Sequence, residues 1–211
     1  MSGLGIVLLL QSAAALDTLP VRAAPPAAVF DGAVGSAEWG VPDLSISAPG
    51  GGAWIWLRGD STAVYVAARI SDSTSHWGDD LVVSVHVGGP AGSAPGPDDF
   101  QWDLRRLLDS SVVYRGKDGR WHPPRDDPDW RFGPAREGAG WEVRSESGTD
   151  GWSLELRLDR AYLAGREGGP ARIAFRIFDN APRGWHAWPG RWRRQPTEVE
   201  DRPELWAVVT D

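Results

Sequence analysis

From Asp60 to Val87 the chain twice alternates apolar and polar positions, and this is the stretch around which its fold can be read. Val64, Val66, Ala68 and Ile70 alternate with Tyr65, Ala67 and Arg69, and Leu81, Val83, Val85 and Val87 alternate with Val82, Ser84 and His86. A period of two puts one set of side chains on one face of a strand, so both runs predict strands with a buried face. They read as neighbours in a sheet. Between them runs a connection of Ser, Asp, Gly and one large aromatic, Trp77, too polar for a core and suited to a shaped loop.

The same pattern extends along the chain. Leu44–Ile46, Ala53–Leu57 with Trp54 and Trp56 on one face, Phe100–Leu104, Val112–Tyr114, Trp141–Glu146, Trp152–Leu158, Ile173–Ile177 and Leu205–Val209 each read as short strands. Core packing is the reading favoured for Trp39, Trp54 and Trp56. Ser147–Gly151 reads as a hairpin turn before a strand on which Trp152, Leu154, Leu156 and Leu158 share a face. The only helical signal is a short turn over Arg160–Ala164, with Asp159 as its N-cap and Gly165 as its stop. About ten short strands with one helical turn predict an all-β antiparallel sandwich, jelly-roll or immunoglobulin-like in kind. Gly116–Gly140 is a long polar loop with Trp121 and Trp130, of a length usually functional or disordered.

The amino terminus changes the domain picture. An apolar run over Leu4–Leu10 followed by Ala13–Ala15 fits a signal peptide over residues 1–15, although a positive leading segment is missing; the run is too short to span a bilayer. Residues 16–29 are Ala- and Pro-rich without a period and read as a linker, leaving 30–211 as a single domain. This predicts a secreted or periplasmic protein with no membrane span once the leader is removed. With no Cys, it has no disulfide, no thiolate site and no cysteine nucleophile.

A net charge of -7 argues against a general nucleic-acid binder, because such affinity comes from clustered cations on phosphates. Thirteen Trp in 211 residues leave some for solvent or a ligand. His76, His86, His122 and His186 are scattered without a zinc pattern, and no nucleophile elbow or split carboxylate pair marks a catalytic centre. No catalytic residue is therefore expected. Asp72, Asp79, Asp80, Asp98 and Asp99 lack the spacing of a calcium loop and read as solvated turn carboxylates, with a structural calcium the one cofactor they leave open.

The order of the motifs adds a resemblance. Phe30-Asp31-Gly32 with Glu38-Trp39, Ala63-Val64-Tyr65-Val66 with Ser71-Asp72, and Trp77-Gly78-Asp79-Asp80-Leu81-Val82-Val83 come first; Gly151 to Leu156 and Ile173 to Asn180 follow. In that order they resemble carbohydrate-binding module family 9 and the wider DOMON-like sandwiches from about Phe30 onward. The resemblance implies a non-catalytic glycan site in which two Trp hold a sugar while Arg, Asn and acidic side chains bond its hydroxyls. Carried to this chain, the ligand residues are Trp77, Asp79, Asp80, Asn180 and Arg183, with Trp185 or Trp188 as the second indole. Where the family has an acidic residue in the strand after Asp80, this chain has Val83.

Two other readings stand beside this one. A haem-binding electron-transfer sandwich would need His86 or His122 as a ligand, because Met1 is the only Met and Lys117 the only Lys. An envelope module whose Trp- and Arg-rich face binds a partner protein would use the same residues. The main expectation is a carbohydrate partner, with an envelope protein as a further one.

Overall fold

The computed structural model describes residues 16–26, 28–72, 74, 76, 79–107, 111–123, 140–166, 168–180, 183–189 and 202–211, leaving out the side chains of Asp179, Asn180 and Arg183. Within them the chain is a sandwich of two sheets. Sheet A holds eight strands: β1 (Thr18–Pro20), β14 (Ala207–Thr210), β12 (Arg172–Asn180), β6 (Asp80–His86), β7 (Asp99–Arg105), β8 (Val112–Lys117) and β9 (Arg120–His122) in that order, with β13 (Arg183–Trp188) on β12. Sheet B holds six: β10 (Trp141–Ser147), β11 (Gly151–Asp159), β5 (Ala63–Ser71), β4 (Gly51–Gly59) and β2 (Arg22–Ala23), with β3 (Leu44–Ala48) on β4.

The two alternating runs that head the sequence reading lie in different sheets, β5 in sheet B and β6 in sheet A, facing one another across the core. Val64, Val66, Ala68 and Ile70 from one side meet Leu81, Val83 and Val85 from the other, with Leu154, Leu156, Leu158, Trp102, Ile173 and Phe175 filling the same layer. Each such side chain contributes roughly 1.5–3 kcal/mol when taken fully out of water. The expectation of adjacent strands fails because the loop between them crosses from sheet to sheet, which a period of two cannot reveal.

Both sheets are mixed. β1 pairs in parallel with β14 and β2 in parallel with β4, so the Ala/Pro-rich segment read as a linker adds an edge strand to each sheet. These strands of three and two residues are too short to show a period, and their pairing supplies what side-chain pattern does not. The turn at Arg160–Tyr162 is a 3-10 helix with Asp159 at its N-cap position, as expected, but the Asp159 carboxylate makes no cap bond and takes the Arg157 guanidinium at 3.4 Å. Two further turns were not expected, a 3-10 turn at Pro203–Leu205 and one α-helical turn, α1, at Ser36–Trp39.

That turn organises the outer face of sheet B. Trp39 and Trp56 pack there with Val34 and Ala67 in a cluster of their own, outside the sandwich core. Glu155, fully buried on the same face, accepts hydrogen bonds from the backbone N–H of Asp31 and Gly32, both at 2.7 Å, and from Trp39 Nε1 at 3.0 Å. Burial pushes this carboxyl up to about 7 against the pull of the two backbone bonds. Arg58 and Asp43, also buried, join β4 to the segment after α1, and the Arg58 guanidinium donates to the carbonyls of Leu57, Trp39 and Val41. Trp54, by contrast, is 43% exposed on this outer face and is not in the core.

Candidate functional site

Strand parity sorts the outer face of sheet A. Leu81, Phe175, Ile177, Trp102 and Leu104 point into the sandwich, so Asp80, Val82, Arg176, Asp103 and Arg105 point out of it. Register then brings them together: Asp80 lies opposite Arg105, Val82 lies between Asp103 and Arg176, and Phe178 lies opposite Trp185. The Arg105 guanidinium reaches Asp80 at 3.5 Å and Asp103 at 3.8 Å. The Arg176 guanidinium lies over the Trp185 indole, with Cζ 4.0 Å from the ring centroid. Trp185 also meets Phe178 at 5.1 Å between ring centroids.

The result is a patch in which two arginines and two carboxylates sit beside an indole. Asp80 is more than nine-tenths removed from solvent, at 6% exposure, and its Oδ1, like that of Asp103, accepts no hydrogen bond among the described residues. Such acceptors are costly to leave unfilled. Burial and the neighbouring Asp103 push the Asp80 carboxyl up to about 7, with Arg105 opposing. Burial raises Asp103 as well, against Arg105 and Arg176, and it raises Tyr114, where Asp103 adds to the effect.

Asp80 thus favours its proton in the folded state. A carboxyl raised from 3.8 to about 7 contributes stability that is present below 3.8 and is lost as pH climbs through about 7. Glu155, raised from 4.5, acts in the same sense. The urea midpoint is therefore expected to fall between pH 5 and pH 8, and Asp80→Asn should narrow that fall. An unchanged pH difference in Asp80→Asn would show that Asp80 ionises as it does in the unfolded chain.

The other sequence-predicted residues divide. Trp77 lies outside the described residues, as do the side chains of Asn180 and Arg183, whose backbones pair with each other at the end of the β12–β13 hairpin. Asp79 faces away from the patch: its carboxylate accepts from the His76 N–H at 2.9 Å and pairs with Arg106 at 3.4 Å. Arg106 also donates to the carbonyls of Thr74, Gly148 and Gly151, so this pair ties the β5–β6 connection to the β10–β11 hairpin. Trp188 turns inward, against Phe175 and the core, while Trp185 turns outward. Val83 is also a core residue, with no exposure, so its position faces the interior of the sandwich.

Asp103, Arg105 and Arg176 were not singled out from the sequence. Their signal was alternation within Phe100–Arg105 and Ile173–Ile177, where each takes the outward parity.

The turn carboxylates are less solvated than expected: Asp72, Asp79, Asp80 and Asp99 are all buried. Asp72 accepts from the Thr74 N–H and hydroxyl, and Asp98 pairs with Arg166. No three His, Asp or Glu side chains gather as a metal site among the described residues. Both ring nitrogens of His86 are engaged, Nδ1 with Asp99 at 2.8 Å and Nε2 with the Gly89 carbonyl at 3.2 Å, which leaves this residue no free nitrogen for a haem iron. No helix among the described residues is long and apolar enough to cross a membrane.

With strand order and site in place, the fold is that of the carbohydrate-binding module family 9 sandwiches. The chain is similar to a family 9 module from Caldicellulosiruptor kristjanssonii in complex with cellotriose, at a TM-score of 0.55 and 15% identity, covering 92% of this chain and 93% of that one. It is also similar to the glucose complex of a family 9 module from that organism, at a TM-score of 0.55 and 14% identity over 92% and 95% of the two chains. No family model and no curated protein matches the sequence.

Proposed function

We propose that this domain is a non-catalytic carbohydrate-binding module whose glycan site lies on the outer face of sheet A, at the end where β6, β7, β12 and β13 meet. What supports this most is the outward Trp185 beside Arg176, Arg105, Asp80 and Asp103. An indole covers the C–H face of a sugar ring, the guanidinium groups around it donate charge-assisted bonds to the hydroxyls, and the carboxyl groups offer acceptors, and donors where protonated. Family 9 modules with this fold hold cellotriose and glucose. Trp77, from the connection before β6, and Asn180 and Arg183, the paired strand ends of β12 and β13, complete the proposed set. The same reading places the domain outside the cytoplasm with residues 1–15 removed. Such cleavage leaves intact β1 and the Asp17 carbonyl that accepts from Val208.

A glycan array probed with the full chain, followed by calorimetry on the best ligand, tests the site. Trp185→Ala is expected to weaken binding by about 1–3 kcal/mol, the scale of lost stacking and buried area, with little change in stability. Binding to no glycan, or a Trp185→Ala protein that binds as the parent does, would defeat the assignment.

A further inference from the structure

The largest exposed aromatic surface among the described residues lies on the opposite sheet. A cavity of about 840 Å3 opens over the outer face of sheet B, walled by α1 and the segment before it on one side and by the β10–β11 turn on the other. Its volume falls in the range of small-molecule sites, roughly 300–1,000 Å3.

Register gives the cavity an ordered floor. Trp54 of β4 lies opposite Arg69 of β5, Arg69 opposite Ser153 of β11, and Ser153 opposite Glu146 of β10, so one transverse row carries an indole, a guanidinium, a hydroxyl and a carboxylate in turn. The next row is small, with Ser71 between Gly52 and Gly151. Backbone packing keeps it so: a Cβ on Gly151 would stand 2.0 Å from the Ile70 carbonyl oxygen, and one on Gly52 would stand 2.3 Å from that of Ile46. The edge of Trp54 is therefore flanked by open floor. Ser153 Oγ donates to the Gly32 carbonyl at 2.7 Å and anchors the far wall.

We propose that this cavity is a second sugar-binding site, independent of the one on sheet A, that stacks a neutral oligosaccharide on Trp54 and bonds its hydroxyls through Arg69 and Glu146. The chemistry of the lining selects that class. A solvent-facing indole fits the apolar face of a pyranose, and groups of both signs serve hydroxyls that donate and accept. Glu38, Glu146 and Asp150 outnumber Arg69 around the cavity, which disfavours phosphate- or uronate-rich polymers. Two sites on opposite sheets let one domain engage two glycan chains, or two stretches of one, raising avidity without tightening either site.

Calorimetric titration of the full chain with cellotriose, mannotriose and laminaritriose separates the two sites. For at least one of these the parent is expected to bind two equivalents per chain. Trp54→Ala and Arg69→Ala should each weaken one equivalent about tenfold or more, which corresponds to about 1.4 kcal/mol, and leave the other in place. Trp185→Ala should do the converse. Because Trp54 and Arg69 are both exposed, two variants carry the test, each checked for an unchanged melting temperature. Two equivalents that both survive Trp54→Ala and Arg69→Ala overturn the proposal, as does a single equivalent lost only on Trp185→Ala; the latter leaves the sheet A site standing. A single equivalent lost on Trp54→Ala and untouched by Trp185→Ala instead overturns the sheet A site and keeps this one. Failure to bind any of the three sugars overturns it for neutral oligosaccharides.

Discussion

Arg58→Met is expected to destabilise the domain by about 3–5 kcal/mol, the range for breaking a buried ion pair from one side. The Asp43 side chain is 2% exposed and would keep its charge with only Arg22, itself 58% exposed, at 3.1 Å. The Trp39 and Val41 carbonyls would lose their donor as well. Since Asp43 also accepts from the Leu57 N–H at 2.8 Å, the damage would reach β4 itself. Urea unfolding of Arg58→Met, of Asp43→Asn and of the double variant tests this: the double variant should cost clearly less than the sum, because the second change removes the stranded charge. A loss below about 1 kcal/mol for Arg58→Met would mean the pair is no better than a surface one.

Trp102→Ala should cost a similar amount, about 3–5 kcal/mol, for a different reason. Its indole is fully buried at the centre of sheet A's inner face, edge-on to Tyr162 at 5.1 Å and stacked near Phe100 at 6.0 Å between centroids. Truncation leaves a cavity that two rigid rings cannot close. Trp102→Phe should be far milder, because the indole Nε1 has no acceptor among the described residues, and removing a buried unpaired donor offsets part of the lost area. Thermal melts of the two variants decide it. Equal losses for Ala and Phe would mean that the indole's full shape, and not its ring contact, holds the site.

What the sequence made legible follows from where apolar and polar residues alternate strictly. β5, β11 and β12 present apolar residues at every second position, and the sandwich follows from those runs. β6 and β4 are buried on both faces, so their patterns do not say which face meets the other sheet. Hence Trp54 and Trp56 share a face as expected and Trp56 is buried in the outer cluster, but Trp54 stands exposed instead of packing in a core. The polar positions of β7 and β12 look, in a local window, like any solvated face. Only the register of distant strands sets Asp80 beside Arg105 and Asp103 near Arg176. Trp185 and Trp188 are three apart in sequence, so on any strand they must face opposite sides, and grouping them as equals was possible only while β13 had no boundaries.

The pairing of β1 with β14 has a mechanical consequence. The two strands run in the same direction, locked by the Thr18–Val208, Leu19–Val209 and Pro20–Thr210 register and by the Val21 N–H on the Thr210 carbonyl at 2.7 Å. Tension applied through the polypeptide before β1 and after β14 pulls these strands past one another along their length. The hydrogen bonds across the pair are then loaded together in shear, rather than peeled open one at a time. If glycan holds the body of the domain and a neighbouring segment hauls on it, this short parallel clasp is the part that bears the load.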